Sequence, residues 1–207
     1  MSEKLGELYS FYQQIRNCSK CPLQKSRKQV VVGEGGYKRP ILLLGEAPGR
    51  TEDALGRPFT GKAGKLLDDI LRRNGLSRED LFITNSVKCR PPNNRKPYKN
   101  EVIACSAYLK KELEVLKPKV IITLGATGLQ ALSLIGVLKN NDDILNYNNV
   151  KLKEVRDRTL TLRIDNLVIK VVPTYHPAAC LRNPSLVRNL QEDIKRAVIE
   201  LETPFID

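Results

Sequence analysis

Five cysteines and a single histidine are the residues of this 207-residue chain best suited to chemistry. Cys18 and Cys21 form a C-x2-C pair, Cys89 follows an apolar run, and Cys105 falls inside a helical pattern. Four thiolates complete either a tetrahedral zinc site or the ligand set of an iron–sulfur cluster, and the spacing does not separate zinc from iron. A redox pair plus two small core cysteines is the competing arrangement. Against it, the pair precedes the first strand instead of following one into a helix, and Pro22 and the wide ligand spread favour a cluster. Cys180 is left over as a semi-buried free thiol. His176 sits in Pro173-Thr174-Tyr175-His176-Pro177, directly after a β-branched run.

These residues need elements to bring them together. An amphipathic helical stretch runs from about Leu5 to Arg16 and stops before Pro22. Short apolar runs predict strands at Ile41 to Leu44, Leu81 to Thr84, Val120 to Leu124 and Val168 to Val172. Helical patterns lie between and after them, at Gly64 to Asn74, Glu101 to Leu116, Thr127 to Ile135 and Leu186 to Glu202. The expectation is a single α/β domain over residues 1–207, with a mainly parallel four-stranded sheet covered by helices on both faces. The segment from Lys139 to Arg163 has weak periodicity and reads as a loop or hairpin insertion.

In such a sheet the ligand site lies beyond the carboxyl ends of the strands. The four exits read Gly45-Glu46-Ala47-Pro48-Gly49, Asn85-Ser86-Val87-Lys88-Cys89, Gly125-Ala126-Thr127-Gly128 and Pro173 to Pro177. A carboxylate, an amide and the histidine therefore gather at one edge.

Composition sets the partner class. Thirty-five Lys and Arg against 23 Asp and Glu give a net charge of +12, which attracts a polyanion such as nucleic acid. The longest apolar runs fall far short of a membrane span, and the start of the chain lacks the order of a secretory signal, so an intracellular, cytoplasmic protein is expected. Gly56-Arg57-Pro58-Phe59-Thr60-Gly61-Lys62-Ala63 nearly spells a phosphate-binding P-loop, but Ala63 replaces the metal-binding hydroxyl and no strand runs into Gly56. What remains is a helix start at Gly61-Lys62 whose N–H groups could hold a phosphate of a nucleic-acid backbone.

Together, Gly45 to Gly49, Gly56 to Gly64, Thr84-Asn85-Ser86-Val87-Lys88-Cys89-Arg90-Pro91-Pro92 and His176-Pro177-Ala178-Ala179 resemble the family 4 uracil-DNA glycosylases. These are iron–sulfur enzymes known chiefly from thermophilic archaea and bacteria. The resemblance covers nearly the whole chain apart from Lys139 to Arg163. It implies a structural [4Fe-4S] cluster on Cys18, Cys21, Cys89 and Cys105, and a uracil pocket built from Glu46, Ala47, Pro48, Phe59, Asn85 and His176. In that reading Phe59 stacks on a flipped base, Asn85 reads its edge, and His176 donates to the departing anion. Ala47 stands where the best-known uracil-DNA glycosylases carry a water-orienting aspartate, an absence that family 4 shares. Glu46 is then expected to help orient the water by position more than by basicity. Glu52 and Asp53 either exclude a methyl at base C5 or cap the turn, the cap being preferred.

For DNA, Lys88, Arg90, Arg95, Lys96 and Lys99 form an acid-free basic run beside Cys89, joined by Lys62 and by Leu181 and Arg182 after the histidine. The implied partner is uracil-containing DNA, acted on by a monomer. The tail Thr203 to Asp207 is a place where a replication or repair partner could dock. The alternative is a non-catalytic nucleic-acid-binding metal protein, which would carry the charge and the cysteines but no pocket.

Overall fold

The run Ile41-Leu42-Leu43-Leu44 has no polar residue to offer to water, so a strand made from it must be covered on both faces. The computed structural model, which describes residues 2–204, does this by alternation. Leu42 and Leu44 point into one core and Ile41 and Leu43 into the other. This strand is β1 (Ile41–Gly45), and β2 (Phe82–Asn85), β3 (Val120–Leu124) and β7 (Leu167–Thr174) run parallel to it in the order β2-β1-β3-β7. They are the four strands expected from the sequence.

The sheet has seven strands, however, not four. Beyond β7 lie β6 (Leu160–Ile164), β4 (Val137–Asn140) and β5 (Asp143–Leu145), all antiparallel. Residues 139–163 are thus a sheet extension as well as a hairpin. Leu138, Leu160 and Leu162 bury themselves under it, while the β4–β5 end stays exposed.

Helix α1 (Ser2–Ile15) packs on α4 (Lys99–Leu116), and α4 packs on α5 (Ala126–Ile135); their apolar residues belong to the core that receives Leu42 and Leu44. On the opposite face α3 (Lys62–Arg73) and α8 (Leu186–Glu202) cover Ile41, Leu43 and Ile122. The short helices α2 (Arg50–Leu55), α6 (Leu152–Val155) and α7 (Pro177–Arg182) complete the chain. Among the described residues no helix is long and apolar enough to cross a membrane. Of the proposed docking tail, only Thr203 and Pro204 lie within the described residues.

Candidate active site

The parallel register sets Gly45 beside Asn85 and Leu124 beside Thr174, so the four exits open side by side. Between them lies a cavity of about 420 Å³, lined by Glu46, Ala47, Pro48, Phe59, Asn85 and His176 among others. The six residues singled out from the sequence therefore meet in one place.

Asn85 ends β2, is 2% exposed, and carries a buried Oδ1 with no hydrogen-bond partner. A buried acceptor left unmade costs roughly 1–3 kcal/mol, a cost that a ligand N–H would remove. Gly45 makes this placement possible, because a Cβ there would fall 2.3 Å from Asn85 Oδ1 and 2.5 Å from the Phe59 ring.

Phe59 is buried yet adopts φ 53°, a left-handed conformation uncommon for an aromatic residue. Two features hold it. Arg78 donates to the Phe59 and Pro58 carbonyls while paired with Glu34 and Asp68, and Gly64 leaves the space a Cβ would need 1.7 Å from the Phe59 carbonyl. The ring lies 5.7 Å from that of His176, centroid to centroid, at 31°.

His176 caps α7, its Nδ1 accepting from the Ala178 N–H at 3.1 Å. In the neutral ring the proton then belongs on Nε2. Burial, helped by the positive charge of Arg182, pushes the imidazole pKa down to about 4, with Glu52 opposing weakly. The histidine is a neutral N–H donor near pH 7.

Glu46 is held by Thr127, whose hydroxyl donates to Oε2 at 2.5 Å. Thr127, buried in the first turn of α5, was visible in the sequence as part of a strand exit and the start of a helical pattern, not as a partner of Glu46. Tyr147, from the segment read as an insertion, lies near enough to Glu46 for the carboxylate, after burial, to help raise its phenol pKa.

Glu52 and Asp53 are braces. Glu52 accepts from the N–H groups of Gly49 (3.1 Å), Thr60 (3.0 Å) and Gly61 (2.7 Å), and buried Asp53 accepts from Lys28 N–H at 2.9 Å. Glu52 thus takes the two N–H groups just before the α3 start, those of Thr60 and Gly61, while Lys62 and Lys65 of its first turn are exposed.

The cysteines come from three segments that converge behind the pocket. Their charges reach one another: Cys18 raises the Cys21 thiol pKa, Cys18 and Cys21 raise that of Cys89, and Cys89 and Cys21 raise that of Cys105. Hydrogen bonds reach the sulfurs from Arg27 (to Cys89, 3.2 Å), Lys88 N–H (to Cys105, 3.3 Å) and Tyr108 (to Cys18, 3.0 Å). Such donors favour thiolate ligands. Burial pushes the free Cys105 thiol up to about 12, so a thiolate there needs a cation to balance it. Among the described residues no three His, Cys, Asp or Glu side chains converge tightly enough for a metal ion. Cys180 is 1% exposed and lies in the other core, as a bystander would.

The basic run divides. Lys88 is 1% exposed and ion-paired with Glu112 at 2.8 Å, which removes it from the phosphate-binding set. Arg95 is committed to both oxygens of Glu101 and packs on Tyr98 at 3.8 Å. Arg90 donates to Asn94 and Lys96 to Gln130, both near the surface. Lys99 is exposed beside Tyr147, and Leu181 and Arg182 are exposed, with Arg182 on the pocket rim.

A family model described as the uracil DNA glycosylase superfamily matches residues 32–202, a span holding all four strand exits. A type-4 uracil-DNA glycosylase of Pyrobaculum aerophilum is 44% identical over 188 residues, 91% of each chain. Another, from Saccharolobus solfataricus, is 46% identical over 88% of this chain and 81% of the relative. A third, from Thermotoga maritima, is 41% identical over 94% of each. At this identity, across nearly the full length and through every segment that lines the cavity, the chain belongs to the uracil DNA glycosylase superfamily.

Proposed function

We propose that this protein is a monofunctional uracil-DNA glycosylase: it hydrolyses the N-glycosidic bond of a flipped-out deoxyuridine, releasing uracil and leaving an abasic site for base excision repair. The observation that carries this reading is the buried, unpartnered Asn85 Oδ1 in a cavity shared with the Phe59 ring and a neutral His176. Uracil offers the N3–H that this oxygen lacks, and O4 can accept from the same amide. Cytosine has no N3 proton and puts an amino group at position 4, so it would leave both ends of the amide mismatched. A non-catalytic nucleic-acid-binding metal protein would need no such pocket.

Phe59 supplies the face on which the flipped ring rests. As the glycosidic bond breaks, negative charge grows on uracil O2 and positive charge on the sugar. The Nε2–H of His176 stabilises that oxygen more in the transition state than in the ground state. Glu46, anchored at one oxygen by Thr127, offers the other to the attacking water and sets its charge near the sugar cation. Water adds to the sugar carbon, uracil leaves with the bonding electrons, and the water's proton passes to solvent or the base. The step is hydrolytic and moves no net electrons to or from a cofactor.

The four cysteines fit a [4Fe-4S] cluster by their thiolate chemistry and by the donors directed at their sulfurs. Held by Cys18, Cys21, Cys89 and Cys105, such a cluster would cross-link the start of the chain, the β2 exit and α4. Lys62, Arg90, Lys96 and Arg182 grip phosphates around the pocket, and Leu181 wedges into the stack.

The test is incubation with an oligonucleotide carrying one deoxyuridine, followed by alkali. Strand cleavage at that site, with the deoxycytidine counterpart intact, is the expected result; an uncut uracil strand rejects the reading. A brown protein containing iron and sulfide is expected on anaerobic purification, and zinc instead of iron would reject the cluster.

A further inference from the structure

The strand exit that presents Asn85 runs directly into the cysteine set, and Lys88 stands between the two. The three ammonium donors of Lys88 meet three acceptors: Glu112 Oε2 at 2.8 Å, Thr84 Oγ1 at 2.6 Å and the main-chain carbonyl of Asn85 at 2.8 Å. Glu112 is fully buried and also accepts from the Tyr12 hydroxyl at 2.6 Å and from Thr84 at 3.0 Å. The main-chain N–H of Lys88 donates to Cys105 Sγ at 3.3 Å.

Such a pair is not explained by stability. Desolvating two charges offsets most of their attraction, and apolar residues of similar size often serve as well or better. What an apolar pair cannot do is close a turn onto a carbonyl. Lys88 reaches back three residues to the Asn85 C=O and ties it through Glu112 to α4, the helix that carries Cys105. The Asn85 Oδ1 has no hydrogen bond of its own, so the direction of the amide depends on the main chain beneath it.

We infer that Lys88 is a positioning residue for uracil recognition: with Glu112 it fixes the Asn85 main chain against α4, so that the base-reading amide meets uracil already oriented. The inference rests on the glycosylase reading, and the wild-type arm of the experiment tests that reading separately.

The variant is Lys88→Met/Glu112→Gln, which removes the ammonium without stranding a buried carboxylate and lets residue 112 still accept from Tyr12 and Thr84. Melting temperature and iron content report folding and cluster loading. Free-uracil affinity by calorimetry and the single-turnover excision rate report recognition. Expected is a folded, loaded protein whose uracil affinity and excision rate both fall by about tenfold or more, the scale of one misaligned buried hydrogen bond. Placed on an Asn85→Ala background, the same pair of changes should cost little further rate, since Lys88 acts through that amide. Wild-type rate and affinity in the folded double variant would overturn the inference. So would a loss that adds in full to that of Asn85→Ala. If the double variant does not fold, Glu112→Gln alone serves: it removes the charge that holds the Lys88 ammonium against α4, so a several-fold fall in uracil affinity and excision rate is expected, and wild-type values in the folded variant would overturn the inference.

Discussion

In the proposed reaction His176 would act as a neutral donor, because its ring is held well below the ordinary histidine range by burial and by Arg182. The unfolded chain binds a proton near pH 6.5 and the folded one only near 4, so the stability attached to the neutral ring is whole above pH 6.5 and is lost as pH falls toward 4. Melting temperature should decline across that window, and His176→Asn should flatten the decline. The excision rate should show no step at pH 6.5; a step there would mean that a charged imidazole does the work. Thr127 gives a second expectation at this scale. Thr127→Val should lower the single-turnover rate by about tenfold, the cost of one lost hydrogen bond to a charged group, while Thr127→Ser keeps it. Glu46→Gln retaining the full rate would remove Glu46 from the water's path. The main pocket groups were legible because a parallel sheet sends every strand exit to one edge. Their partners were not: Lys88 looked free in a run without acids, yet Glu112, on a later helix, neutralises it, and Glu101, just past the run, claims Arg95.

Among the elements, the turn from Phe59 into α3 bears the tightest constraint. Gly64 lies against the Phe59 carbonyl, so Gly64→Ala should push the Phe59 ring out of the pocket. It should destabilise the protein by on the order of 2–3 kcal/mol, measured by denaturant unfolding. The four parallel strands could be read from their dense runs of β-branched residues and leucine, since strands buried on both faces leave few polar positions, here Thr84, Asn85, Thr123, Lys170 and Thr174, all buried. The antiparallel strands could not. β5 has three residues, Asp143, Ile144 and Leu145, none of them buried, and β4 keeps only Leu138 inside. A short, half-exposed edge strand carries little hydrophobic signal, and the pairing of β4 with β6 and of β5 with β4 decides its shape.

Across the whole molecule, the +12 charge is distributed in two ways. Some of it is neutralised inside the protein, in pairs such as Lys88–Glu112 and Arg156–Asp193, while Arg95, though paired with Glu101, lines the pocket. The exposed cations near the pocket remain, and Arg182→Ala should reduce the slope of log affinity against log salt by about one while leaving base discrimination intact. With the proposed cluster on the four cysteines, Cys21→Ser is expected to abolish iron loading and lower the melting temperature, because the start of the chain would lose that tie to the β2 exit and α4.

The four strand exits have a consequence in time. Glu46, Phe59, Asn85, Thr127 and His176 are scattered along the chain and become neighbours only when β1, β2, β3 and β7 lie in register. Contacts this distant in sequence form slowly. A nascent chain still short of residue 176 lacks the residue proposed to donate to the departing base, so on that reading it cannot release uracil while it is being made. Recovery of excision after dilution from denaturant should therefore lag behind the return of helical signal, making catalysis a clock for the last contacts to close.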